Sequence, residues 1–299
     1  MNNPSTNHWE HYYTPATVAE ALEILSRYDG RARVVGGGTD LLVEMRRGLH
    51  RPVDALVDVT HIDNLDRIAI ETDHIVIGCG VTHSQIVRDA HINENGACLS
   101  ESCGVIGGPQ VRNVGTLAGN VAHALPAGDG TIGLLALGGE IEVASAEGTR
   151  WIPLQDSFKG PGKSFIDRYR QILTRLRFPP TGIGEGSAHH RVMRPQGLCL
   201  PIISMGARLK IDATNTITGA RISMGPVGPV PYLAEPAMEV LVGGPATNTQ
   251  FARAAEVALE IVTLRASKYR ASREYREHMV LTYLPVILNR AVERARGNV

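Results

Sequence analysis

Three consecutive glycines, Gly36, Gly37 and Gly38, end a short apolar run and open onto a helical pattern. No other stretch restricts the fold so much. Without Cβ atoms the turn can take positive φ and let backbone approach a ligand closely. Thr39 follows as the expected N-cap, Asp40 opens the helix, and Gly48 closes it after Arg46 and Arg47, the charge order a helix dipole favours. The free N–H groups at such a helix start suit a phosphate. Asp40 must then point away, because a carboxylate beside a bound phosphate repels it. Taken alone, the triplet reads equally well as a tight structural turn.

The flanking pattern places this loop in a small parallel unit. Thr17 and Glu20 form a capping-box pattern ahead of Val18, Ala21, Leu22 and Leu25 on one helical face, and Asp29-Gly30 turns the chain. A strand at residues 33–35, the glycine loop with its helix, and a strand at 53–59 then give strand, helix, strand. The loop falls at the carboxyl end of the strand, where open sheets bind ligands. From residue 68 short alternating runs at 68–70, 75–79, 140–144, 151–152 and 171–178 predict a mostly antiparallel sheet, with helices at 84–90 and 97–103. Residues 179–186 are a composition break. Strands are predicted at 201–211 and 216–224, a Pro/Gly-rich crossing at 226–231, and helices at 249–265 and 272–296, the second kinked at Pro285.

The bulk composition narrows the function classes. A chain of 299 residues has room for two domains. Lys plus Arg equal Asp plus Glu at 30 each, so no net field favours nucleic acid or an acidic membrane. No apolar run reaches the roughly 20 residues of a membrane-spanning helix, and the first residues lack a basic and apolar leader pattern. A cytoplasmic protein is expected. Cys79, Cys98, Cys103 and Cys199 form no C-x-x-C pair, which argues for buried thiols and against a cluster or metal site in this chain.

A second glycine-rich stretch occupies residues 104–129. Small residues alternate there with Thr116, Asn120 and Asp129, so backbone donors and short polar side chains can converge. Two such loops in one domain would grip a pyrophosphate from both sides. The spacing is not G-x-G-x-x-G, so a Rossmann NAD site is not supported.

Together these residues carry a resemblance. The stretch Val-Val-Gly-Gly-Gly-Thr-Asp-Leu at 34–41, Gln-Val-Arg-Asn-Val-Gly-Thr-Leu-Ala-Gly-Asn at 110–120 and Pro-Ala-Gly-Asp at 126–129 are similar to the FAD-binding subunit of the xanthine dehydrogenase and carbon monoxide dehydrogenase family of molybdenum hydroxylases. Phe-Lys-Gly-Pro-Gly at 158–162, the run at 172–179, Gly-Pro-Val-Pro at 228–231 and Arg-Ala-Ser-Lys-Tyr-Arg at 265–270 extend the likeness over nearly the whole chain.

The resemblance implies an α+β fold. An FAD-binding domain of the vanillyl-alcohol-oxidase (PCMH) type would span residues 1–180, with a small parallel subdomain at 1–60 and a larger, mostly antiparallel one at 61–180. A C-terminal α/β domain of the CO dehydrogenase flavoprotein type would follow at 187–299. The resemblance also maps cofactor contacts onto Val34, Val35, Gly36, Gly37, Gly38, Thr39, Asp40 and Leu41, and onto Thr116, Leu117, Ala118, Gly119 and Asn120. Asp129 matches a FAD-contacting aspartate, Ile106 a contacting apolar position and Leu173 a packing position near the flavin. Bland readings stand beside these: Asp129 as an N-cap for a helix starting near Thr131, Thr116 and Asn120 as turn hydrogen bonders, Ile106 and Leu173 as core.

Two departures from the family pattern stand out. Ala118-Gly119 replaces Gly-Gly, adding a methyl at the second loop. Where the family has Phe-Lys-x-x-x-Arg, the stretch at 189–194 reads His-His-Arg-Val-Met-Arg; counting back from Arg194 puts His190 in the Lys position, counting forward from Pro179 puts Arg191 there. Arg191 keeps the charge and is preferred. The family's acidic residues downstream are absent from 195–201. His189, His190 and His123 are read as solvated or packing histidines, since no Asp, Glu or Cys sits at ligand spacing. Arg112 and Asn113 either face the cofactor or brace the turn.

The expected function is an FAD-carrying electron-transfer subunit, with no side chain acting as general acid or base. The molybdenum cofactor and two 2Fe-2S clusters would sit on a large molybdopterin subunit and a small iron–sulfur subunit. The complex would be a dimer of heterotrimers, and FAD would deliver electrons to NAD+, oxygen or another acceptor. A stand-alone FAD-dependent oxidase or dehydrogenase is the alternative reading.

Overall fold

The computed structural model describes residues 9–194, 200–260, 262–264, 266–267 and 270–298. The first elements form the small parallel unit: β1 (His11–Tyr13), α1 (Val18–Tyr28), β2 (Ala32–Val35), α2 (Leu41–Arg46) and β3 (Ala55–Asp58). The sheet runs β1-β3-β2, with Val35 level with Asp58. Thr17 Oγ1 accepts from Glu20 N at 3.1 Å and caps α1, which buries Ala21, Ile24 and Leu25. The reciprocal arm of the capping box reaches Ala16 N and not Thr17 N. Asp29, at φ 40°, ends the helix in the left-handed region.

The next unit contains β4 (Ile68–Ile70), β5 (Ile75–Gly78), α3 (His83–Arg88), α4 (Ala90–Asn95), α5 (Ala97–Gly104), α6 (Pro109–Arg112), α7 (Leu117–His123), α8 (Asp129–Ala136), β6 (Glu140–Ser145), β7 (Gly148–Pro153), β8 (Phe158–Gly160), β9 (Lys163–Ser164) and β10 (Ile172–Phe178). β4-β5-β10-β6-β7 form a wholly antiparallel sheet. Every residue of α8 is buried. A helix buried on every face must be covered on all sides. It packs against α5 and α7 on one side and the C-terminal sheet on the other.

That sheet is β11 (Glu185–Met193), β12 (Pro201–Ile211), β13 (Ile217–Gly225) and β14 (Tyr232–Leu233), antiparallel in this order, backed by α9 (Glu235–Leu241), α10 (Asn248–Glu260) and α11 (Arg273–Gly297). The mixed α/β architecture expected above is therefore observed. α11 runs through Pro285 without a break in the helix. α10 ends at Glu260, short of the predicted residue 265; that residue and part of the 265–270 motif lie outside the described residues, as do Cys199 and most of 195–201. No described helix is long and apolar enough to cross a membrane.

Candidate functional site: two glycine loops and a buried carboxylate

The two glycine loops meet directly. A Cβ placed on Gly37 would lie 2.0 Å from the Val114 carbonyl oxygen, and one on Gly36 would lie 3.1 Å from Thr116 Oγ1. Only glycine permits this approach. Gly38, at φ 67°, takes the left-handed turn that starts α2. Among the described residues no acceptor meets the backbone N–H groups of Gly36, Gly37, Gly38, Thr39, Asp40 and Leu41; the first paired amide is Leu42, which donates to Gly38 O at 3.0 Å. Six successive unpaired donors in a half-enclosed loop form a nest for an anion.

The cap of α2 differs from the sequence expectation. Asp40 is the N-cap, in αR geometry without a side-chain hydrogen bond, and Thr39 precedes it. Asp40 is exposed, which removes the repulsion its carboxylate would otherwise cause. Arg33, on the strand that feeds the loop, is buried. Loss of solvent, then Arg168, lowers its pKa to about 10, so it is still a cation at neutral pH.

In the second loop Thr116 caps α7, its Oγ1 accepting from Gly119 N at 3.0 Å. Ala118 and Leu117 point into the core, so the extra methyl of Ala118 does not occupy the groove between the loops. Asn120 Oδ1 accepts from both the amide and the hydroxyl of Thr131, each at 3.0 Å, tying α7 to the start of α8. Asp129 does not act as N-cap: Gly128 holds that position, and Asp129 is the first residue of α8. Its carboxylate instead meets Arg191, Nη1 donating to Oδ2 at 2.8 Å, with both side chains almost wholly buried. Burial raises the Asp129 pKa, and the Arg191 charge opposes that shift.

Strand alternation explains which side chain of 189–191 reaches Asp129. His189 and Arg191 share the face of β11 toward α8, whereas His190 stacks on Tyr283 of α11 with ring centroids 4.3 Å apart. Arg112 donates to Ile106 O and Gly107 O, and Asn113 accepts from Ser84 Oγ at 2.6 Å, so both brace the turn. Ile106 is half-buried beside that brace. Leu173 lies in the core on β10, against which α7 packs.

Several contributors carry no sequence signal. Glu44 of α2 faces His50 Nε2 at 2.6 Å and His123 Nε2, at the end of α7, at 3.4 Å, so a carboxylate links the helices that follow the two loops. His83, buried behind the second loop, donates its amide to Gly115 O at 3.0 Å and sets Nδ1 3.4 Å from Cys103 Sγ. Desolvation, then Arg112, lowers its pKa to about 4. Apart from His50, six residues from Glu44, their partners lie far away in sequence, and no local motif marks them.

This pair of facing loops, with unpaired backbone donors on the first and a buried carboxylate nearby, can be set beside known proteins. A family model described as the FAD binding domain in molybdopterin dehydrogenase matches residues 5–181. The chain belongs to this family. A second match, the CO dehydrogenase flavoprotein C-terminal domain, covers residues 188–291 of this FAD-binding-domain protein. Among curated relatives, the carbon monoxide dehydrogenase medium chain of Afipia carboxidovorans is 30% identical over 286 residues, 96% of each chain. The nicotinate dehydrogenase FAD-subunit of Eubacterium barkeri is 30% identical over 239 residues, covering 79% of this chain and 80% of that one. Among solved structures, carbon monoxide dehydrogenase from Hydrogenophaga pseudoflava superposes with a TM-score of 0.88 at 25% identity, covering 95% and 97% of the two chains.

Proposed function

We propose that this chain is the FAD-binding subunit of a molybdenum hydroxylase complex, gripping the FAD pyrophosphate between the loop at 36–41 and the loop at 114–120. The observation that carries the reading is the contact of Gly37 with the Val114 carbonyl, beside six unpaired amides. The donor set fits a pyrophosphate: its charge would be met by amides and the α2 dipole, with Arg33 buried near the strand end. Thr116 and Asn120 fix the second loop, while Asp129 and Arg191 form a buried ion pair at the N-terminus of α8. When bound, FAD supplies the change between one-electron and two-electron chemistry.

Substrate oxidation then belongs to partner chains: a small iron–sulfur subunit that carries 2Fe-2S clusters and a large subunit that carries the molybdenum cofactor. With FAD held between its loops, this chain would link those clusters to NAD+ or another electron acceptor. The assembly is a dimer of heterotrimers in the cytoplasm. The medium-chain and FAD-subunit names of the relatives support this division of labour.

The purified chain should be yellow and hold about one FAD per polypeptide. Thr39→Val and Asp129→Asn should each weaken FAD retention in an ultrafiltration assay; unchanged retention in both would remove the mapped site. A stand-alone oxidase is tested separately. Rapid flavin bleaching by a small organic substrate, without partner subunits, would overturn the electron-transfer role.

A further inference from the structure

The Asp129 carboxylate is the most buried acid of the candidate site, and Arg191 satisfies only one of its oxygens by a direct bond of 2.8 Å, at Oδ2. Oδ1 is shut off from solvent and makes no hydrogen bond of ordinary geometry. Two groups of the C-terminal sheet lie beside this carboxylate. The Ser204 hydroxyl on β12 favours the ionised carboxylate by hydrogen bonding, and His189 Nε2 on β11 lies 4.0 Å from Oδ1. His189 Nε2 and Ser204 Oγ are 2.8 Å apart, and both side chains are fully enclosed.

Proton counting fixes the direction of this chain. Paired with the Arg191 guanidinium at 2.8 Å, the Asp129 carboxylate is ionised and can only accept, and a serine hydroxyl has one proton to give. If Ser204 donated to His189, Asp129 Oδ1 would face no donor from either group, the costly arrangement for a buried charged atom. If His189 carries its proton on Nε2 and donates to Oγ, the serine proton is free to turn toward Oδ1. Burial keeps the imidazole neutral, so one nitrogen bears the proton.

The imidazole is also held in place from outside the cleft. His189 N donates to Glu101 Oε2 of α5 at 2.8 Å, and His189 O accepts from Arg290 Nη1 of α11 at 3.3 Å. Glu101 Oε1 pairs with Arg290 and Arg294 as well. The backbone at His189 is thus pinned by two helices while its ring points at α8.

We propose that His189, as the Nε2–H tautomer, is a positioning residue that acts through Ser204 to hold the Asp129 carboxylate at the FAD cleft. The proposal rests on the FAD-site reading above and extends that site onto the C-terminal sheet. His189 and Ser204 touch Asp129, not the cofactor. Their effect is on carboxylate orientation and therefore on how Asp129 and Arg191 meet bound flavin.

The test is FAD titration of the full-length apoprotein, followed by flavin fluorescence and the visible flavin spectrum. Ser204→Ala and His189→Leu should each weaken FAD binding by about tenfold, the effect of one lost hydrogen bond to a charged group. Each should shift the flavin absorption band. His189→Gln, which returns an N–H near the Nε2 position, should recover most of the affinity and the spectrum. The double variant Ser204→Ala/His189→Leu should be no weaker than Ser204→Ala alone, because the two act in series. Additive losses, or no recovery with glutamine, would reduce the pair to core packing and overturn the proposal. If His189→Leu fails to fold, Ser204→Ala with wild-type affinity and spectrum overturns it equally. Asp129→Asn separates the two levels. Unaltered FAD binding in that variant removes Asp129 from the FAD site, and with Thr39→Val equally unaltered it removes the site itself, whereas loss there with wild-type Ser204→Ala and His189→Leu removes only the relay.

Discussion

Gly37 shows how one missing methyl joins two distant parts of the chain. Its Cα faces the Val114–Gly115 backbone so closely that a Cβ would meet the Val114 oxygen at 2.0 Å and the Gly115 Cα at 2.9 Å. Both obstacles are backbone, which cannot rotate away as a side-chain end can. Gly37→Ala must therefore push the loops apart, at a cost on the order of 1–3 kcal/mol in stability. It should abolish FAD retention, because the unpaired amides would no longer face the second loop. Thermal unfolding and FAD content of the purified variant check this; an alanine variant that stays yellow at wild-type stability would show that the loops do not act as one grip. Gly48 is the contrasting position. Its φ of 67° calls for glycine, yet a methyl placed there would meet nothing within 4 Å, so its role is local.

At the scale of elements, helix ends decide where the functional side chains sit. Thr17, Thr82, Thr116 and Ser272 each accept from an amide three residues on, and each is visible in the sequence as a Ser/Thr before a helical run. Ser272→Ala should cost about 1 kcal/mol by removing the cap of α11 while leaving FAD retention intact, as measured by urea unfolding alongside flavin content. Equal loss of flavin would mean that α11 controls the cleft more closely than its packing suggests. Both glycine loops and the strands around them are legible for the same local reason: short apolar runs stop at glycines. Thr39 and Asp129 look like caps in the sequence and are not, because a cap depends on φ and ψ, and the actual caps, Asp40 and Gly128, make no side-chain bond. His189 looks like a packing residue. Its strand position places it on the face opposite His190, but that this face meets Asp129 depends on how β11 docks on α8, which no local pattern encodes. Glu44, Ser204 and His83 are invisible in the sequence for the same reason.

At the scale of the whole molecule, the two largest of four hydrophobic clusters among the described residues, one centred on the first 178 residues and one on the C-terminal sheet and helices, are joined through α5 and α8. Gly206 of β12 leaves room for Cys98 and Ala136, Ser223 Oγ donates to Ile132 O at 2.7 Å, and Ser187 Oγ accepts from Cys98 N at 3.2 Å. Two neutral histidines lie within this joined interior, His83 behind the second loop and His189 against α8. Desolvation is the main cause in both, lowering His83 to about 4 and His189 to about 3. The unfolded chain takes up a proton on each near pH 6.5, whereas the folded chain does not until the lower values are reached. Between those limits the unfolded state binds more protons, so stability rises with pH and is lost as pH falls below about 6.5. Each histidine contributes a slope of about 1.4 kcal/mol per pH unit in that window. Urea unfolding at several pH values between about 7 and 5 should show this dependence in the wild type. His83→Gln should flatten the slope by about one proton, and so should His189→Gln, whatever either does to stability at neutral pH. The difference in slope isolates the histidine, since the surface carboxylates titrate alike in both proteins. An unchanged slope in either variant would mean that its imidazole titrates normally in the fold, and for His189 it would also remove the neutral, single-proton ring on which the Ser204 relay depends.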